Sequence, residues 1–420
     1  MSPTSSRRRL AGVAVLALAA VAFVTSAPPA GAAEFVVANT NDAGAGSLRD
    51  AVAAAAANPG DDVVVIPAGM GPFNLLSTVD YGAGNGLLTV MGNGNEVIVP
   101  GNFTVFSSST SSMVLDDLVL RSRNGANSAS GSLTVRNSVI FSNDGDGVNT
   151  ASGPMVVEDT VIRGENGGRG INSASGTVLA QRVTIVAENE GINTSSGNIR
   201  VIGSQIVPEG DSAGIGIDSG EGSIIVVDST ITGWPVIGIA TTGSVTVTNS
   251  TVADNPGHGI EATDVVLVYA TVVGNGAPGA FNNLDAANVE TFASVIGGGG
   301  DACFVGTIVS NGYNFVTDDT CGLTGTADEN DGGDPGLGPL VPNGGLTDTL
   351  LPASTSPLVD HVPLAECQAD GATGLTTDQR GLSRPSGQGC DVGAVEVQVE
   401  EPGGPTTAAP GGAVAPRFTG

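Results

Sequence analysis

One histidine and two aspartates are the residues in this chain best suited to acid–base chemistry. His258 stands between two glycines in "NPGHGIEA", and Asp144 and Asp146 stand in "SNDGDGVNT". An imidazole or a carboxyl group can move a proton, and two carboxyl groups facing one bond can hydrolyse a glycoside. Since 112 positions separate Asp146 from His258, the fold decides whether these groups meet.

Acidic loops offer a second chemistry, the binding of a divalent cation. The segment "TADENDGGDPG" carries Asp328, Asp331 and Asp334, and carboxylate oxygens suit calcium. An EF-hand loop would need a glutamate at its twelfth position, where Pro339 stands. The sequence therefore requires no cofactor, and calcium is the one ion that a loose acidic loop could hold.

A repeat of about 22 residues organises the middle of the chain. Units spaced 21 to 25 residues apart begin at Ser130, Ser152, Ser175, Ser196, Glu221 and Thr242. Each unit alternates apolar and polar residues over short stretches between Gly, Asn, Asp and Ser, which is typical of strands and turns. Leucine-rich repeats share this period but need regular leucines, which are scarce here. The pattern predicts an all-β, right-handed, single-stranded parallel β-helix with roughly three strands per coil.

Two aliphatic columns run through these units. The first contains Ile140, Ile162, Ile185, Ile206, Ile231, Val252 and Val272. The second contains Val148, Ile171, Ile192, Ile217, Ile239 and Ile260. Coils stacked about 4.8 Å apart would join each column into a continuous dry interior. No coil could bury its apolar face alone, so stability must come from neighbouring coils.

His258 occupies a fixed slot of the repeat, just before the turn glycine Gly259. The equivalent residues of the preceding units are Asp146, Arg169, Glu190, Ile215 and Ile237. A slot that accepts such different side chains is structural, so His258 is interpreted as one rung of a ladder. The glycine recurs because a tight corner needs either positive φ or close backbone approach.

Asp144 and Asp146 have two interpretations. They could approach Glu165 on the next coil and hold calcium there, or they form an ordinary solvated turn. With His258 they are also the residues of a catalytic alternative. The turn is the favoured interpretation, and no catalytic residue is assigned.

The first 33 residues have the features of a signal peptide. "SSRRRL" gives a positive start, "LAGVAVLALAAVAFV" an apolar stretch, and "AGAA" a small-residue cleavage site. The arginines also faintly resemble a twin-arginine signal, so the export route stays open. No second long apolar run follows, so no membrane span is expected in the mature chain.

The charge balance excludes several partners. The chain has 42 acidic residues and 14 arginines, with no lysine, and its formal net charge is −28. Removing three arginines with the signal would give about −31. Such a surface repels nucleic acid and anionic membranes and attracts cations.

The two ends differ from the repeat. "SLRDAVAAAAAN", residues 47–58, predicts a helix capped by Ser47, with Asp50 in the position of a capping-box acid, across the open end of the stack. After the repeat we expect a loop-rich C-terminal capping module and a disordered Pro/Gly/Ala tail. The predicted domains are 1–33 signal peptide, 34–109 cap and first coils, 110–300 repeats, 301–396 C-terminal module and 397–420 tail.

Four cysteines in an exported chain favour two disulfides. Four cysteines allow three pairings, and sequence order suggests Cys303 with Cys321 and Cys367 with Cys390. A zinc site is disfavoured because no Cys-x-x-Cys pair or neighbouring histidine is present.

The repeat region resembles right-handed parallel β-helix proteins, which include pectate lyases, polygalacturonases and non-catalytic surface proteins. The polygalacturonase pattern would require Asp-Asp on the coil before Gly-His-Gly, and "TITGWPVIGIAT" has no acid. Pectate-lyase-like enzymes use an arginine or lysine base with calcium held by aspartates, and the repeat arginines follow no such pattern. The resemblance therefore brings the fold without its catalytic residues.

The C-terminal blocks at 334–360 and 376–396 are similar to the terminal module of the choice-of-anchor Q family of secreted bacterial β-helix proteins. The similarity rests on "DQRG", "RP" and "CDVGA-E". It implies a bacterial extracellular or cell-surface location and no defined activity. Within these motifs Asp378, Arg380 and Arg384 are expected to form a structural ion-pair network that closes the end of the helix.

Two functions remain open. The favoured one is a non-catalytic exported rod that acts in surface structure, adhesion or glycan binding, with surface glycans or polysaccharide as partners. The alternative is a polysaccharide-active enzyme, lyase or hydrolase, on the same scaffold. The sequence leaves the oligomeric state undetermined.

Overall fold

A computed structural model describes residues 31–399 except 85, 211–212, 278, 280–281 and 369–373. The predicted signal peptide lies outside the described residues up to position 30, and the predicted tail lies outside them from position 400. The described chain forms a parallel β-solenoid of about 11 coils with almost no helix. One sheet of 31 strands, paired only in parallel, winds around it. The predicted right-handed parallel β-helix is confirmed.

Each coil contributes strands to three faces, here named A, B and C in chain order. Face A has β1 Glu34–Val36, β2 Asp62–Val65, β9 Leu133–Arg136, β12 Met155–Glu158, β15 Val178–Gln181, β18 Ile199–Ile202, β21 Ile224–Val227 and β24 Ser244–Thr248. Face B has β3 Phe73–Asn74, β10 Val139–Asn143, β13 Val161–Glu165, β16 Thr184–Ala187, β19 Gln205–Pro208, β22 Thr230–Thr232, β25 Thr251–Ala253, β27 Thr271–Val273, β29 Val295–Gly297 and β31 Phe315–Val316. Face C has β4 Val79–Gly82, β6 Thr104–Ser108, β8 Asn124–Ser128, β11 Asp146–Thr150, β14 Arg169–Ser173, β17 Ile192–Thr194, β20 Ile215–Ser219 and β23 Ile237–Thr241.

Five longer strands pass from one face to the next. Faces A and B share β5 Leu88–Ile98 and β7 Met113–Ser122, and faces C and A share β26 His258–Val268, β28 Asn282–Phe292 and β30 Asp301–Ser310. The C-terminal part adds two short antiparallel pairs, which are β32 Leu337–Val341 with β33 Thr349–Pro352 and β34 Val362–Pro363 with β35 Gly389–Cys390.

Both predicted aliphatic columns are confirmed residue by residue. On face B, Ile140 pairs with Ile162 and the column continues in register to Val272. On face C, Val148 pairs with Ile171 and the column continues to Ile260. Every member is fully buried. A third inward column, on face A, completes the interior.

The turn glycines before the face C column are required by close approach, because their φ angles are not positive. A Cβ atom on Gly191 would lie 2.4 Å from the carbonyl oxygen of Gly216 and 2.4 Å from the Cγ2 atom of Ile206. Gly147 and Gly170 meet the same two kinds of neighbour. Of the two reasons predicted for this glycine, crowding between coils is the one that applies.

A helix covers the N-terminal end, as predicted. α1 spans Leu48–Ala57, and the hydroxyl of Ser47 accepts a hydrogen bond from the backbone N–H of Asp50. The carboxylate of Asp50 accepts from the N–H of Gly46, one residue before the expected partner. Leu48, Val52 and two alanines on one helix face join the solenoid core.

The C-terminal module has two parts. Residues 301–333 close the end of the interior, where the predicted disulfide Cys303–Cys321 and Leu323 belong to the main core. Residues 334–399 fold back along the outside of face B and include the predicted disulfide Cys367–Cys390. We call this second part the flank segment. Both predicted cysteine pairings are confirmed.

Candidate functional site

An open groove of about 470 Å³ lies on the outside of the solenoid, at the corner between faces B and C. It crosses four consecutive coils, which places about 14 Å of solenoid along its length. The residues that line it are Ile98, Val99, Pro100, Gly101, Asn102, Arg121, Ser122, Arg123, Phe141, Ser142, Asn143, Asp144 and Glu165.

The apolar side of the groove is a stacked pair, Arg121 and Phe141. These residues stand opposite each other on adjacent strands of face B and point outward because Leu120 and Ile140 point inward. The guanidinium carbon of Arg121 lies 3.6 Å from the centroid of the Phe141 ring. Its Nε atom lies 2.5 Å from a carboxylate oxygen of Glu96. The pair presents a flat, partly charged surface to the groove.

The polar side brings Arg123, Asp144 and Glu165 together. The Nε–H of Arg123 donates to the backbone oxygen of Asp144 at 3.0 Å, and Arg123 forms no ion pair with any described residue. The N–H of Asp144 donates to the backbone oxygen of Glu165 at 2.9 Å. Asp144 therefore does approach Glu165, and both side chains are exposed.

This arrangement suits a hydroxylated ligand. The Arg123 guanidinium and the side-chain amides of Asn102 and Asn143 offer donors, and the carboxylates of Asp144 and Glu165 offer acceptors. Charge-assisted hydrogen bonds of this kind fix the orientation of a bound ligand. Among the described residues no group of three His, Cys, Asp or Glu side chains could hold a metal ion.

His258 lies far from this groove. It stands in register with Ile237, as the repeat predicted, and its Nδ1 atom accepts a hydrogen bond from the N–H of Asn282 at 3.3 Å. Five coils, or about 24 Å, separate it from Asp146. The structure thus does not bring His258 together with Asp144 and Asp146.

Asp146 takes part in a ladder of charges on the outside of face C. Its carboxylate lies 3.6 Å from the guanidinium of Arg169 and accepts from the amide of Asn172 at 3.1 Å. The Nε atom of Arg169 in turn lies 2.5 Å from Glu190. Asp146 therefore has a structural partner on the next coil, which is Arg169 rather than Glu165.

Negative charge accumulates further along face C. Burial raises the pKa of Asp218 to about 6, and the carboxylates of Glu190 and Glu261 raise it as well. The carboxylate accepts one long hydrogen bond, 3.4 Å, from the amide of Asn193. A cation near Asp218 would be attracted, yet no described ligand set surrounds it.

The three aspartates predicted as a loose calcium loop are held by turns. The carboxylate of Asp328 accepts hydrogen bonds from Asn314 and Gly325, and that of Asp334 accepts from Gly336. Asp331 occupies a left-handed turn position with φ of 56°. The structure does not gather the three side chains, and calcium binding there stays a prediction.

Asp378 and Arg380 form the ion pair that the C-terminal motif predicted, and Arg384 lies near by. The carboxylate of Asp378 accepts from Arg380 at 2.7 Å, and both side chains are almost fully buried. The guanidinium of Arg384 lies 3.6 Å from Glu396 and 4.2 Å from the ring centroid of Tyr269. Both ion pairs join residues within the flank segment, and only the stacking of Arg384 on Tyr269 reaches the solenoid. The predicted position is wrong, because the flank segment lies along face B and does not close the end of the solenoid.

The same network contains more acids than bases. Burial raises the pKa of Glu396 to about 7, although Arg384 opposes this shift. Burial likewise raises the pKa of Asp228 to about 6 and raises that of Asp391. The charged side chains of these motifs are therefore buried in contacts within the protein, which indicates a structural role.

Phe141 is the groove residue that sequence reasoning missed. The signal was available, because only 4% of the residues are aromatic and Phe141 follows the inward Ile140. Its outward position one coil beyond Arg121 could have been read from the repeat. The concave shape of the groove could not have been read from the repeat, since it depends on the turn at 99–102.

Comparisons with known proteins add little beyond the fold. The chain matches no known protein family and no curated protein. It is similar in structure to the pectate lyase Pel9A, with 16% identity, a TM-score of 0.45, and coverage of 87% of this chain and 96% of that one. It is also similar to the catalytic unit of a GH87 α-1,3-glucanase from Streptomyces thermodiastaticus, with 16% identity, a TM-score of 0.43, and coverage of 73% and 72%.

A third similar structure is the A-module of the mannuronan C-5 epimerase AlgE4 from Azotobacter vinelandii. The identity is 14% and the TM-score 0.39, over 71% of this chain and 96% of that one. Similarities this low carry no argument about activity, so function must be inferred from the chain's own surface. No helix among the described residues is long and apolar enough to cross a membrane.

Proposed function

We propose that this chain is an exported, non-catalytic β-helix rod that binds a glycan through the groove between faces B and C. The observation that carries the proposal is the meeting of Arg121 and Phe141 with Arg123, Asp144 and Glu165 in one open groove that crosses four coils. The ligand is an extended polysaccharide chain, held by hydrogen bonds to its hydroxyl groups.

Further features support an extracellular setting. Two disulfides are typical of oxidising compartments, and residues 1–33 have the composition of a signal peptide. We also propose attachment to, or release from, a bacterial surface, as the similarity of the C-terminal blocks to choice-of-anchor Q proteins implies. The buried roles of Asp378 and Arg384 agree with a structural function for those blocks.

The alternative is a polysaccharide-active enzyme that uses the same groove. Asp144 and Glu165 are the two carboxyl groups that could act on one bond there, and Arg123 is the nearby base. Calcium would then be an added ligand. The alternative is less favoured because no histidine lines the groove.

A panel of neutral and acidic polysaccharides tests the proposal, with and without calcium. We expect retention in affinity electrophoresis for at least one glycan, with no reducing sugar and no unsaturated product released. Arg123→Ala and Phe141→Ala should each weaken binding about tenfold, equivalent to about 1.4 kcal/mol. Arg182→Ala, which removes an exposed arginine outside the groove, is the matched control and should leave glycan binding unchanged.

Two results would decide against the proposal. Release of product that is lost in Asp144→Asn or Glu165→Gln would establish the enzymatic alternative. Binding that is unaffected by Arg123→Ala and Phe141→Ala would move the ligand site elsewhere on the molecule.

A further inference from the structure

The outward column of face A runs from Thr89 to Val266 in register, and all but one of its members are half-buried. It contains five aliphatic residues, three threonines and one arginine, which are Thr89, Val114, Thr134, Val156, Leu179, Arg200, Ile225, Thr246 and Val266. The neighbouring outward column is polar at Asp116, Arg136, Glu158 and Gln181 and apolar at Ile202 and Val227. At the C-terminal end of face A, Val266 packs against the apolar cluster that includes the flank segment.

The other two faces treat their outward columns differently. On face C the column is hydrophilic, with Asn127, Asn149, Asn172, Asn193 and Asp218 in register. On face B, Thr230, Thr251 and Thr271 are fully buried beneath the flank segment. Face A carries similar threonine and aliphatic side chains, but most of them remain partly exposed. Contiguous apolar surfaces of this kind mark interaction sites.

The area of the face A surface fits a small protein interface. Nine coils spaced about 4.8 Å apart give a length of about 40 Å, and four strand residues give a width of about 13 Å. The product is about 500 Å² for one molecule and about 1,000 Å² for a pair, which is near the lower end for specific complexes.

Two charges on this face have no salt bridge and no side-chain hydrogen bond among the described residues, although the charge of Glu158 also acts on Arg182. Arg200 is exposed, and Glu158 is half-buried. The neighbouring pairs Arg136–Asp116 and Arg182–Asp159 are satisfied. Arg200 lies one coil beyond Leu179, and Glu158 lies one coil before Gln181 on the same strand as Leu179.

We propose that two copies of this chain associate through face A about a two-fold axis at Leu179. A two-fold axis there sets the Arg200 coil of each copy over the Glu158 coil of the other, because both lie one coil from the axis. Each Arg200 then pairs with Glu158 of the other copy. The interface therefore contains two equivalent ion pairs, as an isologous interface requires. The groove between faces B and C remains open in such a dimer, so this inference is independent of the proposed function.

Sedimentation velocity over a concentration series up to about 100 µM tests the proposal, since interfaces at the lower end of the size range are typically weak and transient. We expect a reversible dimer in the full mature chain. Leu179→Asp should weaken it at least about 100-fold, because it buries a carboxylate against an aliphatic surface. Ser196→Asp adds the same charge on an exposed turn and is the matched control.

Charge reversal sharpens the test. Arg200→Glu and Glu158→Arg should each weaken the dimer about tenfold, and the double variant should restore it. Circular dichroism shows whether each variant keeps its β structure. A wild-type chain that stays monomeric throughout the series, a dimer indifferent to Leu179→Asp, or a double variant without restoration would each overturn the proposal.

Discussion

The coils and the flank segment differ in the interactions that hold them in place. In the coils, aliphatic side chains repeat in register and backbone glycines pack against backbone oxygens. The flank segment packs against the coils through a second apolar cluster, and it also buries the charges of Asp378, Arg384 and Glu396. The coils tolerate many outward substitutions, whereas the flank segment depends on a few specific partners.

This difference separates two kinds of sequence motif. The glycine before the face C column recurs because geometry demands it, and the residue before that glycine varies freely. The C-terminal "DQRG" and "CDVGAVE" blocks are joined by buried charges, since Asp378 accepts hydrogen bonds from Arg380 and from the N–H of Glu396, and Glu396 accepts from the N–H of Asp391. Gly-His-Gly belongs to the first kind, even though it contains the residue best suited to catalysis.

The largest effect on the free energy of unfolding should come from adding a side chain where two coils are in close contact. Gly191→Val places carbon atoms where a Cβ already lies 2.4 Å from the backbone of the next coil. We expect a loss of about 5 kcal/mol or more in the free energy of unfolding, enough to prevent folding. Gly167→Asn is the control, since Gly167 has open space and a φ of 83° that asparagine tolerates. Equal urea midpoints for the two variants would contradict the crowding argument.

Breaking the buried network should release the flank segment and leave the coils folded. Arg384→Ala removes the cation beside Glu396 and should cost about 3–5 kcal/mol in attachment of residues 334–399. Hydrogen exchange followed by mass spectrometry would show faster exchange there and unchanged exchange in the coils. Arg182→Ala, which breaks an exposed ion pair with Asp159, should cost less than about 1 kcal/mol. Equally fast exchange in the coils of Arg384→Ala would show that the coils and the flank segment do not unfold separately.

Attachment of the flank segment should weaken as pH rises from about 5 to about 8. Burial raises the pKa of Glu396 to about 7 and that of Asp228 to about 6. A raised pKa in the folded state means that the stabilisation is fully present below the unfolded value and is lost as pH passes the folded value. Thermal unfolding monitored across this range should show a midpoint several degrees higher at pH 5.

Glu396→Gln serves as the control for that pH dependence. The amide remains neutral throughout, so the variant should have a flatter pH profile than the wild-type chain. A wild-type midpoint that rises between pH 5 and pH 8 would show that pairing with Arg384 outweighs the cost of burying the carboxylate.

The smallest effect on the free energy of unfolding should come from substitution of His258. The position tolerates an apolar side chain, because its slot holds isoleucine on the two preceding coils. His258→Ala should change the free energy of unfolding by less than about 1 kcal/mol. A loss above about 2 kcal/mol would mean that the ring has a larger structural role than its position indicates.

The sequence predicted the coils far better than the surface. The alternation of apolar residues and the spacing near 22 residues are local properties, so the inward columns could be assigned residue by residue. The flank segment could not be placed, because its contacts join residues far apart, such as Gln379 with Thr230 across 149 positions. Nothing in the local pattern of either segment encodes that contact.

The candidate site was predicted in part. Asp144 was singled out and does line the groove, and its approach to Glu165 was anticipated. Phe141 and the stacked guanidinium of Arg121 were not, although their outward positions follow from the inward residues beside them. Three-dimensional concavity arises from the relative positions of turns on successive coils, which repeat alignment alone does not supply.

The central claim is that the groove, and not the Gly-His-Gly triplet, is the functional surface. A side-by-side titration of wild-type chain, Arg123→Ala and His258→Ala with a glycan retained by the wild type, with product release monitored in parallel, tests it most directly. We predict that only Arg123→Ala loses affinity and that no sample releases product. Turnover that disappears in His258→Ala while Arg123→Ala keeps it would contradict the account.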